Sequence, residues 1–172
     1  MEKQKKSISV TDAPPTTVTR QGAVCYDVFN GDADGIFAHH QYRLTRPATK
    51  EVEIVTGVKR DIRLLDKLLD VNGCEITVFD ISLHSNVQSL EYLLEADNKI
   101  IYFDHHQTGT IPEHSGLSTI IDPSPETCTA IIVNDFLSKT RSPWAVAAAF
   151  GDNLHDIARK LSAELTLSEK QM

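Results

Sequence analysis

Residues 99–106 read KIIYFDHH, an apolar run that ends in three side chains able to bind metal ions. Short apolar runs rich in β-branched and aromatic residues are typical of buried strands. The run therefore predicts a strand over Ile100–Phe103 that brings Asp104, His105 and His106 to its carboxyl end. A single histidine is more often structural or exposed, but three consecutive metal-competent residues favour a functional site.

Two further apolar runs end in carboxylates. Residues 23–29 lead into NGDADG at 30–35, and residues 75–79 lead into Asp80. In a parallel sheet the carboxyl ends of the strands gather along one edge, so residues distant in sequence meet there. A cluster of Asp and His side chains at such an edge is the donor set that a pair of divalent cations requires.

Strand-like and helix-like segments alternate along most of the chain. The predicted strands cover residues 23–29, 51–55, 75–79, 100–103 and 117–121, and the predicted helices cover 36–44, 62–69, 86–96, 127–137, 144–150 and 154–165. The alternation predicts an α/β fold, with a parallel β-sheet of about five strands flanked by helices. Ser85 or Asn86 is the expected cap of the third helix.

Composition limits the class of protein. The chain has 172 residues, of which 41% are hydrophobic and 24% charged, and this is enough for one domain with a core. A net charge of -7 argues against coating of duplex DNA, but bound cations would still allow a small phosphate-bearing substrate. No apolar run is long enough for a membrane span. Three widely spaced cysteines, Cys25, Cys74 and Cys128, form no metal-type pair, and Cys25 and Cys128 are predicted to be reduced core residues. Because nothing in the sequence demands a disulfide, a cytoplasmic location is predicted.

The chain divides into three predicted parts. Residues 1–21 are polar and predict a flexible leader, residues 22–156 form the main domain, and residues 157–172 belong to a C-terminal helix. The last helix carries an apolar stripe formed by Leu154, Ile157, Leu161 and Leu165. Two interpretations fit this stripe: it packs back on the domain, or it begins a linker to a second domain that this sequence lacks.

The loop at 30–35 places two carboxylates, Asp32 and Asp34, between Gly31 and Gly35. Carboxylates spaced in this way can each face a different metal ion. The glycines favour a close backbone approach and a positive φ. The alternative is an ordinary Asp/Gly turn.

The other candidates follow later strands and helices. Asp80 is either a bridging metal ligand or a cap of the next loop. His105 offers an imidazole ligand, His106 offers a second imidazole for a substrate phosphate, and Asp104 is placed to orient one ring. Asp152 follows a helix rich in small residues and is either a ligand or part of a helix C-cap turn.

As a set, the motifs resemble those of the DHH phosphoesterase superfamily. The four motifs, in order, are NGDADG at 30–35, Asp80-Ile81-Ser82, Asp104-His105-His106 and Gly151-Asp152-Asn153. That family includes RecJ-type single-strand exonucleases, oligoribonucleases, cyclic-dinucleotide phosphodiesterases and manganese-dependent inorganic pyrophosphatases. The resemblance runs from Ala23 to Asp156 and implies that residues 22–156 are a catalytic domain. It also implies a divalent-metal-dependent phosphohydrolase that cleaves phosphodiester or nucleotide-type substrates with a metal-activated water.

The resemblance also implies roles by position. Two Mn²⁺ ions, or Mg²⁺ in their place, would be held by Asp32 on one side, by Asp34, His105 and Asp152 on the other, and by Asp80 as the bridge. The catalytic pair would be His106, which contacts the substrate phosphate, and Asp104 beside it. Independently of the resemblance, the predicted substrate-binding residues are Asn30, Lys59 and Arg60. Lys59 and Arg60 follow the second strand and either reach a phosphate or belong to a solvated loop. His84 and His155 are either outer-shell residues or exposed polar residues, and His39 and His40 are expected to be structural or exposed.

The chain departs from the family pattern in two ways. Pyrophosphatases have a His where this chain has Val28, and RecJ-type members have an Asp where it has Asn30. These departures predict a weaker first metal position, and Val28 argues against a pyrophosphatase. Members usually carry a second, smaller domain that closes over the substrate, so an absent C-terminal domain or a partner chain is expected.

Three interpretations of function follow. The first is an enzyme acting on a phosphorylated small molecule, a nucleotide or a short single-stranded oligonucleotide. The second is a catalytically incomplete module that binds metal and nucleotide and regulates or completes a partner. The third is a receiver-like or flavodoxin-like domain, but such a domain has no use for His105, His106 or Asp152.

Overall fold

The sheet of this protein is parallel throughout its five main strands. The computed structural model describes residues 20–21, 24–140 and 142–165. In chain order the described strands are β1 (Arg20–Gln21), β2 (Val24–Asn30), β3 (Glu51–Gly57), β4 (Val71–Asn72), β5 (Glu75–Phe79), β6 (Lys99–Asp104) and β7 (Leu117–Ile121). The order in the main sheet is β3-β2-β5-β6-β7, and β1 pairs with β4 in a separate two-stranded ribbon. The predicted α/β fold is therefore confirmed.

Helices cover both faces of the sheet. The described helices are α1 (Ala33–Thr45), α2 (Leu83–Glu95), α3 (Thr129–Phe136), α4 (Ser142–Gly151) and α5 (His155–Glu164), with a 3₁₀ helix at Leu64–Leu68. One apolar cluster joins α2 and the 3₁₀ helix to one face of the sheet, and a second joins α1, α3, α4 and α5 to the other. Successive strand residues point to opposite faces, so strands covered on both sides are apolar at nearly every position.

The register of the central strands forms a rim at their carboxyl ends. Phenylalanine side chains lie side by side on β2, β5 and β6, with Phe29 paired to Phe79 and Phe79 paired to Phe103. The residue that follows each phenylalanine is polar: Asn30, Asp80 and Asp104. Three polar side chains therefore lie along one rim, directly above a buried aromatic row.

The strand order also places a crevice between β2 and β5. The chain passes from β2 outward to β3 and then returns to the other side of β2 to form β5. The connections on the two sides of this point lead away from each other, and the resulting crevice is the usual ligand position in open parallel sheets. The Asp-rich loop after β2 and Asp80 after β5 border it.

Several element boundaries differ from the sequence prediction. α2 begins at Leu83 because the Ser82 side chain accepts a hydrogen bond from the Ser85 amide, so neither Ser85 nor Asn86 is the cap. The Asn86 amide instead donates to the Ile62 carbonyl, and its oxygen accepts from the Leu65 amide. This bridge holds the preceding segment as a short 3₁₀ turn, where the apolar spacing predicted a helix over 62–69.

α1 also begins earlier than expected, at Ala33, because the Asp32 side chain accepts from the Gly35 amide and caps it. At the other end of the chain, α5 packs against α4, and Leu154, Ile157 and Leu161 contact the second apolar cluster. Three residues of the predicted stripe therefore pack on the domain. The predicted leader lies outside the described residues, except for the backbone of β1.

Within the described residues, no helix has both the length and the apolar character needed to cross a membrane. Cys25, Cys74 and Cys128 are buried.

Candidate metal centre

The loop between β2 and α1 is folded tightly over its neighbours. A Cβ at Gly31 would lie 2.2 Å from the Gly57 carbonyl oxygen, and one at Gly35 would lie 2.2 Å from the Asn30 carbonyl oxygen. The predicted close backbone approach is therefore present. The predicted positive φ is wrong for both glycines, since positive φ among the described glycines occurs at Gly73 and Gly109. The loop is therefore held by hydrogen bonds and does not require a positive φ at either glycine.

Asp32 faces the crevice and already has a cationic partner. Its Oδ2 lies 3.1 Å from the Lys59 ammonium, and its Oδ1 accepts from the Gly35 amide at 3.3 Å. Burial opposes ionisation of Asp32, but the hydrogen bonds from Lys59 and Gly35 hold its pKa below the ordinary value. The side chain is therefore a carboxylate at neutral pH.

Asp34 is buried and connects α1 to α3. Its Oδ2 accepts from the Thr129 amide and its Oδ1 from the Ala130 amide, both at 2.7 Å. These amides belong to the first turn of α3, where helix N–H groups lack partners and favour an anion. Each carboxylate oxygen has a second lone pair, so Asp34 can also bind a cation.

Asp80 occupies a strained position at the rim. Its φ of 56° lies in the left-handed region that non-glycine residues rarely adopt, and such strain concentrates at functional sites. Burial raises the pKa of Asp80 to about 7, and the nearby charges of Asp34 and Asp32 add to this effect, while the hydrogen bond from His105 opposes it. The Thr129 hydroxyl donates to Asp80 Oδ1 at 3.3 Å.

The hydroxyl of Tyr102 supports the turn that follows Asp80. Tyr102 is fully buried in β6 and donates to the Ile81 carbonyl oxygen at 2.8 Å. This bond ties the residue after Asp80 to the neighbouring strand. A strained dihedral persists only where its surroundings hold it, and this bond supplies one of those contacts.

His105 stands among three carboxylates. Its Nε2 lies 3.5 Å from Asp80 Oδ1 and 3.9 Å from Asp34 Oδ2. Burial lowers the pKa of His105, but the hydrogen bond to Asp80 and the charges of Asp34, Asp80 and Asp152 outweigh it and raise the pKa to about 9. Without a cation, His105 itself supplies part of the positive charge that the carboxylates require.

Asp104 orients His106 from behind. Its Oδ1 accepts from the amides of His105 at 2.9 Å and His106 at 3.2 Å, and from His106 Nδ1 at 2.6 Å, while its Oδ2 accepts from the Leu83 amide at 3.2 Å. The hydrogen bond with Asp104 raises the pKa of His106, which favours the imidazolium form. Asp104 is fully buried and lies outside the cavity lining, so it positions His106.

Asp152 reaches the same rim from the end of α4. A Cβ at Gly151 would lie 2.4 Å from the Ala33 Cβ, so the absence of a side chain lets α4 approach the start of α1 closely. Buried alanines, Ala145, Ala148 and Ala149, line the same helix. Burial, followed by the charge of Asp34, raises the pKa of Asp152.

These side chains surround one cavity of about 180 Å³. Its described lining residues are Asn30, Asp32, Lys59, Asp61, Ile62, Asp80, Ile81, Ser82, His105, His106 and Asp152. Asn30 presents a buried Oδ1 that has no hydrogen-bond partner among the described residues. Arg60 is exposed outside this lining, and His84 and His155 are not part of it. His39 and His40 belong to α1 and pack against Phe29 and Trp144 respectively.

Two groups of donors among the described residues have ligand atoms within 4.8 Å of one another. One is Asp80, His105 and His106, and the other is Asp34, His105 and Asp152. Carboxylate oxygens with one or two imidazoles suit hard or borderline divalent ions such as Mn²⁺ and Mg²⁺. The donor chemistry therefore fits the predicted cofactor, although Asp32 lies outside both groups.

Sequence patterns did not indicate several residues of this site. Thr129 is the main one, because it contacts both Asp34 and Asp80, and Asp61 and Ile62 line the cavity. The only sequence signal for Thr129 is its place at the start of a predicted helix, a common position for a side chain that binds a neighbouring polar group.

Comparison with known proteins gives a match to solved structures. No family model matches the chain, and no curated protein matches it. The chain is similar to the crystal structure of exonuclease RecJ bound to manganese, with a TM-score of 0.52 and 19% sequence identity. The match covers 83% of this chain and 43% of that chain, so this sequence spans less than half of its relative's length. At this level of identity the match shows a shared fold.

Proposed function

We propose that this chain is a divalent-metal-dependent phosphohydrolase that cleaves phosphodiester or nucleotide-type substrates. One observation carries the proposal: four side chains from separate elements bring ligand atoms together at the rim, namely Asp34, Asp80, His105 and Asp152. The resemblance to the DHH motifs and the RecJ-like fold support the same reaction class. Mn²⁺ is the first ion to test, because the relative's structure holds manganese.

The proposed ligand roles follow the positions of the side chains. Asp34, His105 and Asp152 would hold one ion, Asp80 would bridge, and Asp32 would serve a second ion. When bound, such ions lower the pKa of a coordinated water and neutralise charge on a phosphate. Thr129 keeps Asp80 oriented through its hydroxyl, and the first turn of α3 keeps Asp34 oriented through two amides.

His106 is the proposed contact to the scissile phosphate. Asp104 occupies its Nδ1, which leaves Nε2 as the ring atom available to a phosphate oxygen. The imidazolium form, which Asp104 favours, both donates a hydrogen bond and balances anionic charge. Asn30, Lys59 and Arg60 remain the proposed contacts to the rest of the substrate.

The proposed substrates are a phosphorylated small molecule, a nucleotide or a short single-stranded oligonucleotide. A cavity of about 180 Å³ admits a phosphate and its immediate substituents, so the remainder of such a substrate would lie outside it. A second domain or a partner chain that covers this remainder is part of the proposal, since closure supplies orientation and excludes water.

Hydrolysis of bis-p-nitrophenyl phosphate in the presence of Mn²⁺ tests the proposal. We expect the unaltered chain to release nitrophenol and Asp80→Asn to lose at least roughly 100-fold in rate, since even residues behind a metal ligand contribute 10–100-fold. Asn tolerates positive φ, so this variant preserves the backbone at residue 80. Asp70→Asn is the matched control, because Asp70 is an exposed carboxylate outside the cavity.

The outcomes separate the two main interpretations. Turnover that survives in Asp80→Asn contradicts the proposed site. Tight Mn²⁺ binding by the unaltered chain without turnover on diester, monoester or oligonucleotide substrates would favour the metal-binding module that completes a partner. Weak Mn²⁺ binding that is equal in Asp80→Asn and Asp70→Asn contradicts both interpretations.

A further inference from the structure

Asp32 is the acidic side chain of the cavity that is held by a lysine. Both of its oxygens have partners within the chain: the Lys59 ammonium at 3.1 Å and the Gly35 amide at 3.3 Å. The two donor groups formed by the described residues contain the other proposed ligands and omit Asp32. The carboxylate proposed for the second ion therefore has a cationic partner from the chain itself.

The loop after β3 directs Lys59 toward this carboxylate. Asp61 Oδ2 accepts from the Val58 amide at 3.3 Å, which closes the turn that contains Lys59. A Cβ at Gly57 would lie 2.6 Å from Asp61 Oδ2, so the turn folds closely over the end of the strand. Within the described lining of the cavity, Lys59 is the one lysine or arginine, and the same lining contains four carboxylates, Asp32, Asp61, Asp80 and Asp152.

The ion pair between Lys59 and Asp32 is exposed enough for the Lys59 side chain to move away from Asp32. Its side chain is 73% exposed, and Asp32 is 21% exposed. Exposed ion pairs of this kind are weak, and a lysine ammonium is a compact charge on a flexible stem. A phosphate at the mouth of the cavity would offer Lys59 an alternative anion without requiring any backbone movement.

We propose that Lys59 is an internal competitor for the cation position at Asp32. Its ammonium holds that position in the absence of substrate, and an arriving phosphate draws the ammonium away, so the second divalent ion enters together with the phosphate. This inference rests on the proposed two-ion function. It makes Lys59 a specificity-determining residue, because only an anionic ligand completes the metal centre.

Calorimetric titration with Mn²⁺ tests the inference, with electron paramagnetic resonance to detect a coupled pair of ions. For the unaltered chain we expect one tight ion and a second that binds at least about tenfold more weakly. In Lys59→Met the second ion should bind at least about tenfold more tightly than in the unaltered chain, since a unit charge next to Asp32 is gone. Lys59→Arg keeps the charge and should keep the weak second ion.

Lys50→Met is the matched control. Lys50 is also a partly exposed lysine in an ion pair, 3.2 Å from Glu75, and it lies outside the cavity lining. Its removal changes the net charge by the same amount and should leave both Mn²⁺ affinities unchanged. Inorganic phosphate is the probe for the second step: it should tighten the second ion in the unaltered chain and have little effect on that ion in Lys59→Met.

Each alternative result has a distinct meaning. Equal affinity for the second ion in Lys59→Met and the unaltered chain overturns the inference and leaves the two-ion proposal in place. Weaker binding of the second ion in Lys59→Met also overturns it, because Lys59 would then assist the ion. If neither the unaltered chain nor any variant binds Mn²⁺, both the inference and the proposed function are contradicted.

Discussion

At the scale of single residues, Thr129 contributes more to the candidate site than its distance along the chain suggests. Its amide donates to Asp34 and its hydroxyl donates to Asp80, and the side chain is fully buried. Polar groups behind a metal ligand orient it, and their loss typically lowers metal affinity 10–100-fold. Thr129 therefore connects two proposed ligands through one residue.

Substitution of this hydroxyl tests that role. In Thr129→Val the amide to Asp34 remains, and we expect affinity for Mn²⁺ to fall roughly tenfold because Asp80 loses its donor. Thr129→Ser keeps the hydroxyl and should stay within a factor of about two of the unaltered chain, as judged by titration calorimetry. Equal affinities in the valine and serine variants would show that the hydroxyl has no part in the site.

Tyr102 and Tyr26 form a natural pair of tyrosines for a second test. Both are buried, but the Tyr102 hydroxyl donates to the Ile81 carbonyl, whereas the Tyr26 hydroxyl has no hydrogen-bond partner within the part of the chain that the structure describes. We expect Tyr102→Phe to lower the free energy of unfolding by about 1–3 kcal/mol, since it leaves a buried carbonyl unpaired. Tyr26→Phe should leave it unchanged or raise it by up to about 1 kcal/mol. Urea unfolding measures both, and an equal loss in the two variants would contradict this difference.

At the scale of secondary-structure elements, β2 holds α1 through a buried charge. Asp27 on β2 is fully buried and accepts from Arg43 Nε at 2.6 Å and from His39 Nε2 at 2.9 Å. Burial opposes ionisation of Asp27, but the hydrogen bonds from Arg43 and His39 lower its pKa below 3.8. The helix that begins with the metal-site loop is thus attached to the sheet by an ionic contact near its other end.

This contact predicts a dependence of stability on pH. The folded-state pKa of Asp27 is depressed, so its contribution is complete above its unfolded-state pKa and is lost as pH falls through the lower folded-state value. We expect Asp27→Asn to lower the free energy of unfolding by roughly 3 kcal/mol at pH 7, since Arg43 loses its charge partner. The difference between the variant and the unaltered chain should shrink below about pH 4 in denaturation curves. A constant difference across this range would contradict the assignment.

Sequence patterns predicted strands better than helix starts, and the reasons are visible in particular residues. Residues 75–79 and 117–121 are strands as predicted, because a short apolar run between polar residues is typical of a buried strand in an α/β chain. α2 had several possible caps in sequence, and Ser82 serves because it directly follows the rim. Capping preferences alone do not distinguish the serine and asparagine residues before this helix, and only the position of the strand end in the folded chain does.

For the candidate site, the sequence indicated which strand-end side chains lie close together, but it did not indicate the contacts behind them or the course of the nearby loops. Strand-end residues such as Asp80 and His105 were found because parallel pairing converts sequence distance into proximity. The contacts of Thr129 to Asp34 and Asp80 span 95 and 49 residues, and no periodicity encodes them. The exposed position of Arg60 depends on the course of a loop, which sequence patterns do not specify.

At the scale of the whole molecule, the proposed ions link the separate elements of the rim. The proposed ligands come from the start of α1, the end of β5, the end of β6 and the end of α4. A ligand that binds the folded chain alone stabilises it according to its free concentration. Metal binding should therefore appear as resistance to unfolding of the entire domain.

Thermal unfolding tests this link. At a free Mn²⁺ concentration of about 100 times Kd, the expected stabilisation is about 2.7 kcal/mol. For a chain of this size that corresponds to a rise in Tm of roughly 5–10 °C. The rise should be present in Asp70→Asn and absent in Asp80→Asn, as followed by scanning fluorimetry against a chelator-treated sample. A rise of the same size in Asp80→Asn would indicate that Mn²⁺ binds elsewhere.

The two amides that donate to Asp34 have a practical consequence. Their protons, on Thr129 and Ala130, point at a carboxylate that would share its electrons with any ion in the cavity. Strong hydrogen bonds to a carboxylate move amide proton resonances downfield, and a diamagnetic ion such as Mg²⁺ would withdraw part of that effect. The chemical shifts of these two amide protons would therefore report in solution whether a cation occupies the cavity, without any label attached at the rim.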